Sequence, residues 1–301
     1  MPQEKLNQYY RDKRKYEYEN NVPFKGIKLR SKLHKLIQGI VKINNCLEGI
    51  TYRILHDKRM PTDRPIIYAC THIGRYDPEV ILAAVKKPCY LFFGDPNGIY
   101  KSILGFFVWL NGVLYLDTAY KEDRMIAKEM GIRLLNQGGS LGIFPEGAWN
   151  VTENEVVMKL YSGTAEMAIR SGADIIPIAI EQRGRTFCVN IGENIMCRNL
   201  SMDKSNELTD KLRDVLCTLK WEIWEQYGIS ARKNIPEGYA QTFIDRIMSE
   251  SDMGYTLEDI IATRYKDKRN LSPKEVFAFA DNLIPNRNNL FLLKSLYHKG
   301  N

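Results

Sequence analysis

The sequence predicts an α/β protein with a mostly parallel central sheet flanked by helices, an N-terminal amphipathic helical segment and a small C-terminal helical tail. Two observations predict this class. From about residue 62, short apolar runs alternate with segments of helical periodicity, which is typical of parallel strands joined by crossover helices. The composition is globular, since 44% of the 301 residues are hydrophobic and 26% are charged.

The individual elements follow from the same patterns. Strands are predicted at 65–71, 89–93, 113–117, 140–145, 175–180 and 186–191, and helices at 78–87, 122–137, 162–171 and 205–227. In the tail, two helix starts are marked by capping boxes, one at Thr256 with Asp259 and one at Ser272 with Glu275. These elements divide the chain into a basic N-terminal arm (1–61), an α/β domain (62–230) and a helical extension (231–301).

The net charge of +7 is concentrated near the N-terminus, because residues 1–60 contain 14 basic and 6 acidic side chains. Within this part, residues 31–55 carry apolar side chains at steps of three and four, which predicts an amphipathic helix with lysines on its other face. Such a helix either lies on an anionic membrane surface or packs on the main domain with its lysines in water. A basic arm is also compatible with nucleic acid, but the sequence contains no nucleic-acid-binding motif, so we expect none to bind.

The remaining composition predicts a cytoplasmic protein. None of the six cysteines forms a C-x-x-C pair, and the first 25 residues are too polar for a secretory signal. The longest uncharged apolar stretch, residues 102–116, is shorter than the roughly 20 residues that a spanning helix needs. We therefore expect peripheral association with the inner face of a membrane, and neither a metal nor a cofactor.

The first candidate site residues stand where a strand leads into a helix. His72 follows the strand at 65–71, and Asp77 comes five residues later, directly before Pro78. Asp77 is compatible with a helix N-cap. Alternatively, it holds one imidazole nitrogen while the other acts as a general base. This spacing also occurs by chance in many chains.

The second candidate site is FPEGAWN, residues 144–150, at the end of another predicted strand. Pro145 and Gly147 enforce a sharp exit from the strand, and Glu146 is a charged residue at the same edge of the sheet. This arrangement suits either a plain turn with a solvated Glu146 or close approach of the backbone to a ligand. A third feature is Pro177 inside an apolar run, which predicts an edge, a bulge or the rim of a cleft.

These pieces together resemble a known family. His72-x₄-Asp77, GVLYLD at 112–117, FPEG at 144–147 and IIPI at 175–178 are similar, in order and spacing, to the four motif blocks of the glycerolipid acyltransferases of the lysophosphatidate type. The resemblance covers about residues 62–195 and includes Lys159 and Gly163.

The resemblance implies a reaction. His72 would take the proton of an acceptor hydroxyl and Asp77 would orient the imidazole. The hydroxyl oxygen would attack a thioester of coenzyme A or acyl carrier protein. The acceptor would be a lysoglycerolipid, with 1-acylglycerol-3-phosphate as the first candidate. Its site would be formed by Arg75, Arg124, Glu146, Gly147, Trp149 and Lys159.

Departures from the family pattern leave the acceptor open. Ala148 and Trp149 stand where the family commonly has Thr-Arg, and Thr118 follows Asp117 where an arginine is usual. Arginine suits phosphate because its guanidinium binds in a bidentate manner. Arg75, Arg124 and Lys159 are the available substitutes. The alternatives are a glycolipid or aminolipid acceptor, or a catalytically silent peripheral lipid-binding protein.

Overall fold

The structure is a computed structural model, which describes residues 3–85, 87–94, 103–152, 155–227, 232–250, 255–266, 284 and 286. The chain up to Tyr265 forms one compact unit. No helix among the described residues combines the length and the hydropathy that crossing a bilayer requires. The predicted division of the chain at residues 61 and 230 stays a prediction, and so does the second capping box, at Ser272 and Glu275, which lies outside the described residues.

A seven-stranded sheet forms the centre, in the order β1-β7-β6-β2-β5-β3-β4. Its strands are β1 (Thr51–Asp57), β2 (Ile66–Cys70), β3 (Tyr90–Phe93), β4 (Val113–Tyr115), β5 (Leu141–Ile143), β6 (Asp174–Arg183) and β7 (Thr186–Ile191). The neighbours from β6 to β4 are all parallel. Only the β6–β7 hairpin is antiparallel among the pairs in this sheet, and β1 is parallel to β7. The predicted fold class is therefore confirmed.

Helices cover both faces of this sheet. They are α1 (Gln3–Glu19), α2 (Ile27–Leu47), α3 (Asp77–Ala84), α4 (Ile103–Asn111), α5 (Lys121–Asn136), α6 (Gly163–Ser171), α7 (Ser205–Tyr227), α8 (Tyr239–Ser249) and α9 (Leu257–Ala262). Short 3₁₀ turns lie at Met202–Lys204 and Arg232–Asn234. All six predicted strands and the four predicted helices of the α/β domain are present. The capping box of Thr256 and Asp259 is present at the start of α9.

The core consists of two apolar layers because successive residues of a strand point to opposite faces. In β2, Ile67 and Ala69 pack with α5, α6 and α7, whereas Tyr68 and Cys70 pack with α3 and Val108 of α4. Strand β2 is thus buried on both sides, which is the usual environment of a strand in a parallel sheet.

The N-terminal segment corrects one prediction. The helix predicted over 31–55 ends at Leu47, and residues 51–57 form the edge strand β1. Gly49 adopts a left-handed conformation (φ 68°) and the N–H of Ile50 bonds to the carbonyl of Asn45, which closes the helix. The helical spacing of apolar residues continues past this glycine only by coincidence.

Proline 177 also differs from the simplest expectation, because β6 is an interior strand and not an edge. Its ladder with β7 begins at Ile178, and the carbonyl of Pro177 accepts the N–H of Gly192, directly after β7. An isolated bridge between Ile175 and Ile195 follows. Pro177 therefore lies at a break in the ladder, where its missing N–H costs no hydrogen bond.

Helix α1 is attached to the carboxyl edge of the sheet by ion pairs. Arg14 binds the buried carboxylate of Asp123 through two hydrogen bonds of 2.8 and 2.5 Å, and Arg11 pairs with Asp117. Part of the positive charge of the N-terminal segment is therefore neutralised within the protein.

Candidate active site

The site lies at the carboxyl ends of two neighbouring parallel strands. His72 follows β2 and Glu146 follows β5, and these strands pair with Ala69 opposite Ile143. The carboxyl edge of an open α/β sheet is where such proteins usually bind ligands. The register of these strands thus brings the two candidate motifs of the sequence into contact.

The carboxylate of Asp77 turns away from its own helix and into the preceding loop. One oxygen, Oδ2, accepts hydrogen bonds from the backbone N–H groups of Ile73 (2.6 Å) and Gly74 (3.0 Å). The same oxygen lies 2.7 Å from Nδ1 of His72. The described hydrogen bonds of the Asp77 side chain all go to residues 72–74 and none to α3, and the residue is fully buried. Of the two interpretations of its spacing, the structure therefore has the one in which Asp77 holds the imidazole.

Glu146 supports His72 from the other side. Its carboxylate accepts the backbone N–H of His72 at 2.9 Å and that of Met158 at 2.8 Å, and the residue is 1% exposed. Burial raises the pKa of this carboxyl group, and the positive charge of the buried Lys220 opposes the shift. Both carboxylate oxygens of Glu146 thus accept backbone N–H groups of the protein itself.

Aromatic rings surround the imidazole. The ring of Phe144 stacks on His72 with 4.1 Å between centroids and 18° between planes. Trp149 presents its ring at 84° with 6.1 Å between centroids. The side chain of His72 keeps 19% of its surface exposed, so it is accessible from one direction.

A cleft of about 100 Å³ opens on this exposed part of His72. Its lining is mostly apolar and consists of His72, Gly74, Arg75, Pro78, Phe92, Phe93, Gly94, Phe144, Trp149 and Tyr255. A larger surface groove, of about 320 Å³, lies between α1 and α5 and contains none of these residues. The smaller cleft is therefore the candidate active site.

Trp149 is held by the C-terminal helices, which the sequence did not connect to the site. With Ala148 it is buried in an apolar cluster that includes Ile247 of α8, Ile260 of α9 and Tyr255. No local pattern could have indicated this packing, because the contacting segments lie far apart in the sequence. The role of Tyr255 as a cleft residue was likewise missed.

The predicted cations do not lie together. Among the described residues that line the cleft, Arg75 is the one with a permanent positive charge, and its guanidinium is 3.8 Å from Glu48. Arg124 is exposed on the first turn of α5 and donates to the carbonyl of Thr118. The Lys159 ammonium lies 5.1 Å from the centroid of the Tyr265 ring.

Gly147 has a steric requirement. Its φ is 74°, and an added Cβ would lie 2.5 Å from a ring carbon of Tyr161. The N–H of Gly147 also bonds to the carbonyl of Phe144, which closes the turn after β5. Only glycine fits this turn without strain, so its role is in the geometry of the loop.

A second carboxyl group near the site has an unusual environment. One oxygen of Glu79, in the first turn of α3, is shielded from solvent and has no hydrogen-bond partner in the described structure. Burial raises its pKa to about 7, although Arg75 favours the charged form.

The chain is similar to known acyltransferases. Residues 52–181 match the family model described as Acyltransferase. A 1-acyl-sn-glycerol-3-phosphate acyltransferase of Borreliella burgdorferi is 23% identical over 156 residues, which are 52% of this chain and 61% of that protein. An enzyme of the same name from Saccharomyces cerevisiae is 24% identical, over 58% of this chain and 61% of the yeast protein. The chain thus spans about three fifths of the length of these relatives.

A solved structure shares the fold. The crystal structure of the 1-acyl-sn-glycerophosphate acyltransferase of Thermotoga maritima superposes with a TM-score of 0.51 at 18% identity. The alignment covers 76% of this chain and all of that chain.

The buried carboxyl group of Glu79 makes stability depend on pH. Its pKa is higher in the folded than in the unfolded state, so the folded form keeps its proton while the unfolded form ionises. The free energy of unfolding is therefore not reduced by Glu79 below about pH 4.5. It falls by up to about 3 kcal/mol as the pH rises to about 7. Glu79→Gln removes this penalty, and urea unfolding should show the variant more stable than wild type at pH 8 and equal to it at pH 4.

The matched control is Glu193→Gln, which removes one carboxylate from an exposed position. A Glu79→Gln difference that stays constant between pH 4 and pH 8 would contradict the assignment.

Proposed function

We propose that the chain transfers a fatty acyl group from a thioester donor to the hydroxyl of a lysoglycerolipid, because residues 52–181 match the family model described as Acyltransferase. The single observation that carries this proposal is the 2.7 Å contact between His72 Nδ1 and the buried Asp77. The first candidate for the acceptor is 1-acylglycerol-3-phosphate, and the names of the relatives support it. The donor is acyl-CoA or acyl carrier protein.

The proposed mechanism is general-base catalysis. With Nδ1–H donating to Asp77, the Nε2 lone pair of His72 is free to take the proton of the acceptor hydroxyl. The hydroxyl oxygen then attacks the thioester carbonyl. When the tetrahedral intermediate collapses, the C–S bond breaks and the thiolate receives the proton from His72. This route requires no covalent enzyme intermediate.

Other side chains are assigned roles by their positions. Arg75 lines the cleft, so it is the cation best placed to bind an acceptor phosphate. We assign Glu146 to holding the backbone of His72, because both of its oxygens already accept backbone N–H groups. Trp149 forms an apolar wall of the cleft. Substrate contacts of Arg124 and Lys159 stay predictions, since neither residue lines the cleft.

The outer face of α2 supports a membrane-surface location. Four large apolar side chains are exposed along this helix, namely Leu29, Leu36, Ile43 and Leu47. Exposed lysines, including Lys32 and Lys35, accompany them on the same helix. The opposite face, with Ile37 and Val41, packs against Ala83 of α3. The helix thus offers one face to the protein and leaves an apolar and basic face for an anionic bilayer.

The acyl transfer is tested by thiol release from acyl-CoA or acyl carrier protein, with a panel of lysolipids and mass spectrometry of the products. Wild type should acylate a lysoglycerolipid. His72→Ala should lower kcat by at least about 100-fold, since general-base catalysis contributes 10²–10⁴-fold.

An unchanged rate in folded His72→Ala would refute the assignment of the base. Binding of lysolipids by wild type without any thiol release would favour a silent lipid-binding protein instead.

Membrane association is tested by point substitutions, because α1 and β1 belong to the folded unit and removing them would disturb it. The double variant Leu36→Glu with Ile43→Glu should bind vesicles containing phosphatidylglycerol at least about tenfold more weakly than wild type, as measured by co-sedimentation. Each change removes apolar contact and adds a negative charge.

The matched control is a double change at exposed methionines elsewhere on the surface, Met196→Glu with Met202→Glu, which adds the same charge. Equal loss of vesicle binding in the two double variants would show that α2 is not the contact surface.

A further inference from the structure

The ring of Phe144 covers one face of the His72 imidazole. The two planes are 18° from parallel and the centroids are 4.1 Å apart. The pairing of β2 with β5 explains this contact. Ala69 of β2 and Ile143 of β5 are in register, so the residues that follow the two strands lie side by side at the same edge of the sheet. Phe144 is therefore placed by the backbone and not by a mobile loop.

The other contacts of the imidazole are of a different kind. Asp77 meets Nδ1 by a hydrogen bond, which is directed along the ring plane, and Trp149 approaches with its ring nearly perpendicular. Neither contact prevents the imidazole from tilting about the Nδ1–Asp77 direction. The stacked face of Phe144 blocks that tilt, so it fixes where Nε2 points.

Stacking also has an electrostatic consequence. The face of an aromatic ring carries partial negative charge and attracts a cation within about 6 Å of the centroid. When His72 has taken the hydroxyl proton, its imidazolium lies on this face. The interaction is stronger with the imidazolium than with the neutral ring, so it stabilises the state that follows proton transfer.

We propose that Phe144 is a positioning residue for acyl transfer, which orients the His72 ring and stabilises its imidazolium form. The proposal rests on the proposed function. The proton moves from the acceptor hydroxyl to Nε2 of His72 and then to the sulfur of the leaving thiol, while Phe144 takes part in no bond change.

The charged and titratable groups around His72 define the background for a test. Asp77 lies on Nδ1, Glu146 binds the backbone N–H, and Lys220 opposes the charge of Glu146. Arg75 and Tyr255 line the same cleft. All of these groups stay in place when Phe144 alone is changed, so a difference in pH dependence reports on the stacked ring.

The experiment compares Phe144→Leu with proteins that carry mono-, di- and trifluorinated phenylalanine at position 144. Fluorination keeps the shape of the ring and progressively weakens its negative face, so it separates electrostatics from packing. Phe24→Leu is the matched control, because the ring of Phe24 contacts Tyr90 and Phe24 is not among the residues that line the cleft.

The expected result is a fall in kcat of about 3- to 30-fold for Phe144→Leu, with little change in the KM for the acceptor. The acidic limb of the pH profile of kcat/KM should move to lower pH by about 0.5–1 unit, because a less stabilised imidazolium releases its proton more easily. The fluorinated series should move this limb in graded steps, and Phe24→Leu should leave it in place.

The proposal would be overturned if the acidic limb of the pH profile did not move in Phe144→Leu, or if it were the same for the fluorinated and native rings. Phe144 would then be a packing residue only. The NMR signal of the His72 imidazole, assigned by its loss in His72→Gln, gives the same comparison without turnover. If wild type transfers no acyl group, the proposed function fails, and the graded movement of this NMR titration still decides the role of Phe144.

Discussion

One buried oxygen atom organises the active site. Oδ2 of Asp77 accepts two backbone N–H groups and lies within hydrogen-bond distance of His72 Nδ1. Burying a carboxylate costs several kcal/mol unless hydrogen bonds and charge compensate it, so this oxygen is stable only while Ile73 and Gly74 fold back onto it. The loop conformation and the orientation of the His72 imidazole are therefore set by the same interaction.

A second buried carboxylate completes the arrangement from the neighbouring strand. Glu146 joins the exit of β5 to the exit of β2 through the backbone of His72, and to the following segment through Met158. Two parallel strands in register thus bring His72, Asp77 and Glu146 together at one edge of the sheet. The stacked ring of Phe144 belongs to the same strand exit and completes the surroundings of the imidazole.

The sequence was informative where a signal is local. Apolar runs located six strands, and the spacing of His72 and Asp77 named the pair that the structure brings together. It failed where the signal was ambiguous or long-range. Strand β1 is a mostly exposed edge with no clear alternation, so its apolar residues extended the helical pattern of α2. The packing of α8 and α9 on Trp149 depends on contacts between distant segments, and no pattern within either segment reports them.

The roles of individual site residues were predicted unevenly for the same reason. A glutamate after a strand is read as a ligand-facing group, yet Glu146 is buried because the backbone beside it supplies two N–H donors. Arg75, Arg124 and Lys159 were indistinguishable as cations in the sequence. Only the fold separates Arg75, which lines the cleft, from the other two.

The most direct test of this account is the rate of acyl transfer by Asp77→Asn, measured alongside its urea unfolding curve. The amide oxygen of asparagine can still accept the loop N–H groups, but it lacks the negative charge that stabilises the imidazolium. We expect a folded protein whose kcat is at least about 100-fold below that of wild type, with the KM for the acceptor nearly unchanged. A folded Asp77→Asn variant within a few-fold of the wild-type rate would contradict it.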